Sequence, residues 1–170
     1  SRAASYQSNQ ERQKLMRQAE DYDAFLDALE MRYTVGFLDA GRVSRFAQLI
    51  NKSNQFNLRT QRYSEAQIEQ MMQDPQYRLI YAELTDKFDH YGLISCVILK
   101  GNFIDTWVMS CRVLKRRVEE QVFRFILENT TGSLYGEYIP TAKNAMVRDF
   151  YPQLGFQKTE VDGRYLYGRV

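Results

Sequence analysis

Residues 93–99 form an apolar run in which Ser95 is the one hydroxyl-bearing residue. The run follows Gly92 and ends before Lys100, so it has the length of a β-strand rather than of a helix. A strand that is apolar on both faces must be covered on both faces. The run therefore predicts a central strand in a sheet that carries helices on its faces, with Cys96 as a core residue.

Other segments supply neighbours for this strand. The sequence predicts strands at 31–38, 78–84, 103–110 and 134–139, helices at 41–52, 64–72, 115–128 and 140–151, and a last hairpin turning at 162–163. The sheet should begin antiparallel and continue through a strand, helix, strand crossover. Because 170 residues can bury one sizeable core, we expect one domain of the α/β (α+β) class.

Residues 1–29 are predicted to be a helical lead-in to a domain at 30–170. Apolar side chains recur at steps of three and four, but Asp21 and Asp23 could cap a second helix, so one long helix and two shorter ones both fit. The stripe consists of Leu15, Ala19, Tyr22, Leu26 and Leu29.

Composition excludes several classes of protein. A net charge of +2 argues against a nucleic-acid partner, and no stretch approaches the length of a membrane span. Two cysteines without metal-ligand spacing and a single histidine predict no metal site. A reduced, cytoplasmic location is the expectation.

An apolar strand runs directly into a basic helix start at 107–120, an arrangement that commonly binds phosphates and other anions. Cys111 ends the strand beside Arg112 and precedes the helix, and both neighbours favour a thiolate. It is a candidate thioester nucleophile, and the alternative is a small apolar residue at a strand end. Asp105 is a candidate general base or a solvent-facing carboxylate.

Residues 51–60 are dense in amide side chains, which carry both donors and acceptors. Such a segment can bind a polar ligand or satisfy its own turn, and the turn is the simpler interpretation. The candidate ligand contacts in it are Asn51, Asn54, Gln55 and Asn57.

Segments 109–120 and 144–156 together resemble the acyl-CoA core of the GNAT acetyltransferase superfamily, the second through its Asn144 and its Tyr-x-x-Leu-Gly-Phe ending from Tyr151. The resemblance implies a GNAT-like mixed, mainly antiparallel sheet flanked by helices. It also implies that Tyr151 protonates a departing thiolate, although a packed aromatic is the alternative. The implied cofactor contacts are Met109, Arg112, Val113, Arg116, Arg117, Val118 and Asn144.

The diphosphate loop of that superfamily reads Arg-x-x-Gly-x-Gly/Ala, and its glycines let backbone amides approach phosphate. Here Arg112 is present, but Lys115 and Arg117 stand at the glycine positions. Their side chains either block the loop or bind phosphate directly through charged pairs. The phosphopantetheine of an acyl carrier protein is therefore a more attractive ligand than acyl-CoA.

More specifically, five ordered blocks resemble the C-terminal region of FkbH-like proteins, a branch of the HAD superfamily. They are 51–60, 62–63, 86–89, 107–113 and 140–144, and the last adds Lys143 to the candidate substrate contacts. The resemblance implies an upstream HAD phosphatase-like domain and transfer of a glyceryl unit to a carrier-protein thioester. The leading hypothesis is a GNAT-like acyltransferase domain, and the competing one is a non-catalytic module that docks a carrier protein or sugar substrate.

Overall fold

The computed structural model describes residues 2–18 and 21–170. One seven-stranded sheet has the order β1-β2-β3-β4-β5-β7-β6. Its strands are β1 (Arg32–Phe37), β2 (Tyr77–Thr85), β3 (His90–Lys100), β4 (Phe103–Met109), β5 (Leu134–Glu137), β6 (Gln157–Lys158) and β7 (Arg164–Tyr167). The helices are α1 (Arg2–Gln18), α2 (Tyr22–Ala28), α3 (Val43–Lys52), α4 (Glu65–Gln73), α5 (Val118–Glu128) and α6 (Phe150–Gln153), with 3-10 turns at Ala40–Arg42, Cys111–Val113 and Ala145–Val147.

The apolar run at 93–99 lies in β3, which pairs antiparallel with β2 on one side and β4 on the other. Val97 packs in the core cluster that contains α5, whereas Cys96 packs in the cluster that contains α3 and α4. Helices therefore cover both faces, as the apolar run predicts. The parallel pairing of β4 with β5 across α5 supplies the expected crossover. The mixed, mainly antiparallel fold is confirmed.

Strands β4 and β5 pair over only two register positions, at Phe103 and Ile104. Beyond them the chain's own segment 56–58 lies between the two strands. The carbonyl of Phe56 accepts a hydrogen bond from the N–H of Met109 at 3.2 Å, and the carbonyl of Leu58 accepts one from the N–H of Ile139 at 2.8 Å. The segment thus satisfies backbone groups on both sides of the gap where the strands diverge.

The N-terminal stripe forms two helices rather than one. Asp21 decides this locally, because its carboxylate caps α2 by accepting a hydrogen bond from the N–H of Ala24 at 2.7 Å. Leu26 and Leu29 of the stripe are buried, and Ala19 lies outside the described residues. The domain boundary at residues 29 and 30 stays a prediction. In 2–18 and 21–170, no helix has the length and apolarity to cross a membrane.

Two predicted helices differ from the structure. The helix predicted at 115–128 begins only at Val118, because Lys115 and Arg117 have the left-handed backbone angles φ 61° and 63°. The helix predicted at 140–151 is wrong: a turn precedes two short helical pieces. There the side chain of Asn144 accepts a hydrogen bond from the N–H of Thr141 at 2.8 Å and so offers the backbone an alternative to a helix.

Candidate functional site

A surface pocket of about 590 Å³ lies at the C-terminal end of β4. It gathers five of the predicted site residues from three separate parts of the chain: Asn54, Gln55, Met109, Cys111 and Lys143. The rest of its wall comes from the end of α3 and from residues next to the predicted ones. These are Leu49, Lys52, Ser53, Phe56 and Ser110. The pocket is therefore the meeting point of the amide-rich segment, the strand end and the 140–144 loop.

Cys111 presents an exposed thiol to this pocket. The residue begins a 3-10 turn that Ser110 caps by accepting a hydrogen bond from the N–H of Arg112 at 3.3 Å. The Sγ atom of Cys111 lies 3.3 Å from Oε1 of Gln55, so the thiol can donate to that amide oxygen. An exposed, oriented thiol is accessible to an electrophile.

Positive charge in the pocket comes from Lys52 and Lys143. Among the described residues, the lining includes no histidine and no carboxylate, the side chains that most often serve as general bases. The amides and hydroxyls of Asn54, Gln55 and Ser110 supply hydrogen-bond partners for oxygen atoms of a ligand. The site is suited to a polar or anionic group held close to a thiol.

Two predicted contacts, Asn57 and Asn144, serve the backbone instead of lining the pocket. Both are fully buried. Asn144 Nδ2 donates to the carbonyls of Asn57 and Ile139 at 2.9 and 3.0 Å, and its Oδ1 accepts from the N–H of Thr141. Asn51 also lies outside the lining, where its amide donates to the carbonyl of Tyr63 at 2.8 Å.

The loop at 115–117 has a left-handed backbone at Lys115 and Arg117, a conformation that glycine adopts without a steric penalty. Helix α2 lies against it. The hydroxyl of Tyr22 donates to the carbonyl of Lys115, and the guanidinium of Arg117 pairs with Asp23 at 2.6 Å and Asp27 at 3.6 Å. The charge of Arg117 is therefore already matched by carboxylates of the protein.

Arg116 and Arg112 of this region are also engaged. Arg116 is nearly buried and pairs with the fully buried carboxylate of Asp86 at 3.2 Å. Arg112 donates to the carbonyl of Tyr91 at 2.8 Å, and its guanidinium carbon lies 5.8 Å from the Tyr91 ring centre. Two more of the implied cofactor contacts, Val113 and Val118, are fully buried in the core around α5.

Helix α5 opens with Glu119 and Glu120 in its first turn. Burial raises the pKa of Glu119. Carboxylates stabilise a helix N-terminus, but they repel a phosphate that would bind there. Together with the paired cations, they make the start of α5 a poor place for a diphosphate.

Tyr151 is 1% exposed, and no hydrogen-bond partner for its hydroxyl occurs in the described part of the chain. Burial raises the pKa of this hydroxyl. The ring packs among Phe150, Phe156 and Tyr165, with centroid distances of 5.4, 4.9 and 5.8 Å. Tyr151 is thus a packed aromatic whose hydroxyl lies among other rings, and its role as an acid stays a prediction.

Asp105 also lies away from the pocket lining. Its carboxylate accepts hydrogen bonds from Arg59 at 3.1 Å, Tyr63 at 2.7 Å and Thr106 at 2.8 Å. Arg59 donates in addition to Glu137 at 2.9 Å, which joins β4 to β5. Asp105 would have to give up these bonds to act as a base.

Lys115→Gly is expected to raise the free energy of unfolding by about 0.5 kcal/mol, because glycine adopts the left-handed conformation without the steric penalty of a side chain. The matched control is Lys115→Ala, which keeps a Cβ and should give no gain. Urea unfolding of the three proteins measures both effects. Equal stability of the glycine and alanine variants would contradict a strained backbone at this position.

No group of three or more histidine, cysteine, aspartate or glutamate side chains suited to a metal occurs within residues 2–18 and 21–170. The sequence prediction missed Lys52, Ser53, Leu49, Phe56 and Ser110 as pocket residues. The available signal was their position beside predicted site residues, since each precedes or follows one of them within a few positions.

Comparison with solved structures identifies the fold. The ribosomal-protein-S18-alanine N-acetyltransferase from Escherichia coli matches with a TM-score of 0.55 and 14% identity, over 79% of this chain and 91% of that one. A GNAT-family acetyltransferase from Staphylococcus aureus matches with a TM-score of 0.57 and 10% identity, over 81% and 99%. The chain has the GNAT fold.

A further match is the spermidine N-acetyltransferase from Vibrio cholerae in complex with CoA and spermine. Its TM-score is 0.55 at 13% identity, over 81% of this chain and 95% of that one. No protein-family model matches the sequence, and no curated protein matches it. At these identities, likeness to GNAT structures establishes the architecture, and the chemistry must be argued from the site.

Proposed function

We propose that this GNAT-fold domain handles an acyl group as a thioester, with Cys111 as the residue that accepts the group. The exposed thiol of Cys111 in a pocket of about 590 Å³ carries this proposal. The sulfur attacks the carbonyl carbon of a thioester, the new carbon–sulfur bond forms as the old one breaks, and the donor leaves as a thiol that takes the proton from Cys111.

The donor that suits this pocket is a phosphopantetheine arm on an acyl carrier protein. An arm can enter from the surface and needs no diphosphate site. CoA would bring a diphosphate to a loop where Arg116 is paired with the buried Asp86 and the helix start carries Glu119 and Glu120. Acyl-CoA is therefore the less suitable donor.

The acyl group that we propose is a glyceryl unit or a related short, oxygen-rich acid, supplied through an upstream HAD phosphatase-like domain. The resemblance to FkbH-like proteins motivates this choice. The pocket supports it through Lys52, Lys143, Asn54 and Gln55, whose side chains offer hydrogen bonds to hydroxyls.

Intact-protein mass spectrometry tests the proposal. Incubation with a glyceryl-carrier-protein thioester should add one glyceryl mass to the wild-type chain and none to Cys111→Ala. Cys96 is fully buried and serves as an internal control, because Cys96→Ala should still be loaded. Loading of Cys111→Ala to the wild-type level would remove Cys111 from the mechanism. Parallel incubation with glyceryl-CoA compares the two donors.

The second candidate function is a non-catalytic module that docks a carrier protein or a sugar substrate. The pocket lining favours it by containing neither a histidine nor a carboxylate, and Tyr151 favours it through its complete burial. Titration with the same holo carrier protein distinguishes the two functions. Saturable binding together with an unchanged intact mass would support the docking module over acyl transfer.

A further inference from the structure

We infer that Phe56 is a specificity-determining residue that closes the inner end of the Cys111 pocket and restricts the acyl group to short chains. The inference rests on the proposed thioester on Cys111 and adds the class of acyl group that the site accepts. Phe56 is the one described residue shared by the linings of the Cys111 pocket and of a second cavity of about 210 Å³.

The second cavity lies beside the start of α5 and α6. Its lining is mixed: Met146, Val147, Phe150 and Leu154 are apolar, and Glu119, Glu120 and Gln153 are polar. Phe56 is only 6% exposed although it lines both spaces, so its side chain is packed between them rather than projecting into solvent. Removal of the ring would join the two cavities.

Phe56 is held in place from both ends. Its ring makes an edge-on contact with Phe150 at a centroid distance of 5.1 Å. Its carbonyl accepts the N–H of Met109, and the next residue, Asn57, bridges to Val108 of β4. The ring is therefore a fixed wall, because moving its backbone would break the pairing that fills the gap beside β4.

The position of Phe56 limits the length of an acyl group on Cys111. Gln55, whose amide oxygen contacts Cys111 Sγ, is the neighbour of Phe56 in the chain. A short acyl group on Cys111 stays among the polar side chains near the thiol, whereas a long one meets the aromatic ring. Chain length is thereby limited at this end of the pocket.

Covalent rescue of Phe56→Ala tests the inference without any acyl transfer. Alkyl methanethiosulfonates convert Cys111 to a mixed disulfide, with methanesulfinate as the leaving group, and buried Cys96 should remain unmodified. Phe56→Ala should melt about 10 °C below the wild type because it leaves a cavity in the core. An octyl chain on Cys111 should restore more than half of that shift, and a methyl group should restore none.

In the wild type, the octyl chain should give no gain in melting temperature, because Phe56 already fills the space. If Phe56→Ala unfolds, Phe56→Leu replaces it in the experiment, because its melting temperature should fall less. The double variant Cys111→Ala/Phe56→Ala reports any effect of the reagent elsewhere on the chain. Equal rescue by methyl and octyl groups, or none by either in both Phe56 variants, would overturn the inference.

The rescue experiment and the loading experiment fail independently. Rescue without glyceryl loading would place Phe56 between the two cavities and reject the acyl-transfer function on which the specificity role rests. Loading without rescue would support the thioester on Cys111 and reject Phe56 as the wall of its pocket. Rescue with loading, and with octanoyl loading only in Phe56→Ala, is the result that we expect.

Discussion

Asn144→Ala is expected to lower the free energy of unfolding by about 4 kcal/mol and the melting temperature by about 10 °C. The amide of Asn144 is fully buried and makes hydrogen bonds to the carbonyls of Asn57 and Ile139 and to the N–H of Thr141. Alanine leaves these three backbone groups without that partner. Each buried group that loses its partner costs roughly 1–3 kcal/mol.

Asn54→Ala is the matched control for this substitution. Asn54 lies in the same amide-rich segment as Asn57, but its side chain is exposed and its Oδ1 accepts only from Arg62 in the described structure. Its loss should change the free energy of unfolding by less than about 0.5 kcal/mol. Urea denaturation checks both variants, provided that the dependence of the unfolding free energy on urea concentration is the same as in the wild type. Similar stability of Asn144→Ala and Asn54→Ala would contradict a structural role for Asn144.

Gly136→Ala is expected to lower the free energy of unfolding by about 3 kcal/mol. An added Cβ would lie 2.5 Å from Cζ of Tyr151, well inside contact distance. Tyr151 is enclosed by other aromatic rings and cannot retreat without disturbing them, and Gly136 is fixed by its pairing with Tyr165. Either the strand or the ring must shift, and both are parts of the core.

Gly168→Ala is the control for Gly136→Ala, because no atom of the described residues other than its two chain neighbours lies within 4 Å of a Cβ at that position. It should leave the melting temperature within about 2 °C of the wild type. The double variant Gly136→Ala/Tyr151→Leu should lose less than the sum of its two single substitutions, since a smaller side chain accepts the new methyl group. Additive losses in this double-mutant cycle would show that Tyr151 is not the obstacle.

Predictions from the sequence succeeded where a local pattern was sufficient. The helix predicted at 64–72 is present as α4, where Ser64 and Gln67 form a capping box. The apolar run at 93–99 correctly predicted the central strand, since only a strand covered on both faces can be apolar on both. The predicted helix at 140–151 failed because Asn144 reaches distant carbonyls, and helical periodicity contains no information about such partners.

In the candidate site, too, local sequence patterns did not decide which residues come together. Asn54 and Asn57 are equivalent in sequence terms, yet one lines the pocket and the other is buried against Asn144. The sequence left open whether Lys115 and Arg117 block the diphosphate loop or bind phosphate directly. The structure has a left-handed backbone at both positions and pairs Arg117 with Asp23 and Asp27, which lie ninety or more positions away in the chain.

The sequence by itself determined the central strand, the layered α/β arrangement and the presence of a cysteine at the junction of a strand and a helix. These follow from local hydrophobic periodicity and from chain order. Only the tertiary structure decided which amides meet Cys111, that segment 56–58 fills the gap between β4 and β5, and that Tyr151 is enclosed. Those outcomes depend on contacts between residues far apart in the chain, whose pairing becomes defined only when the core is packed.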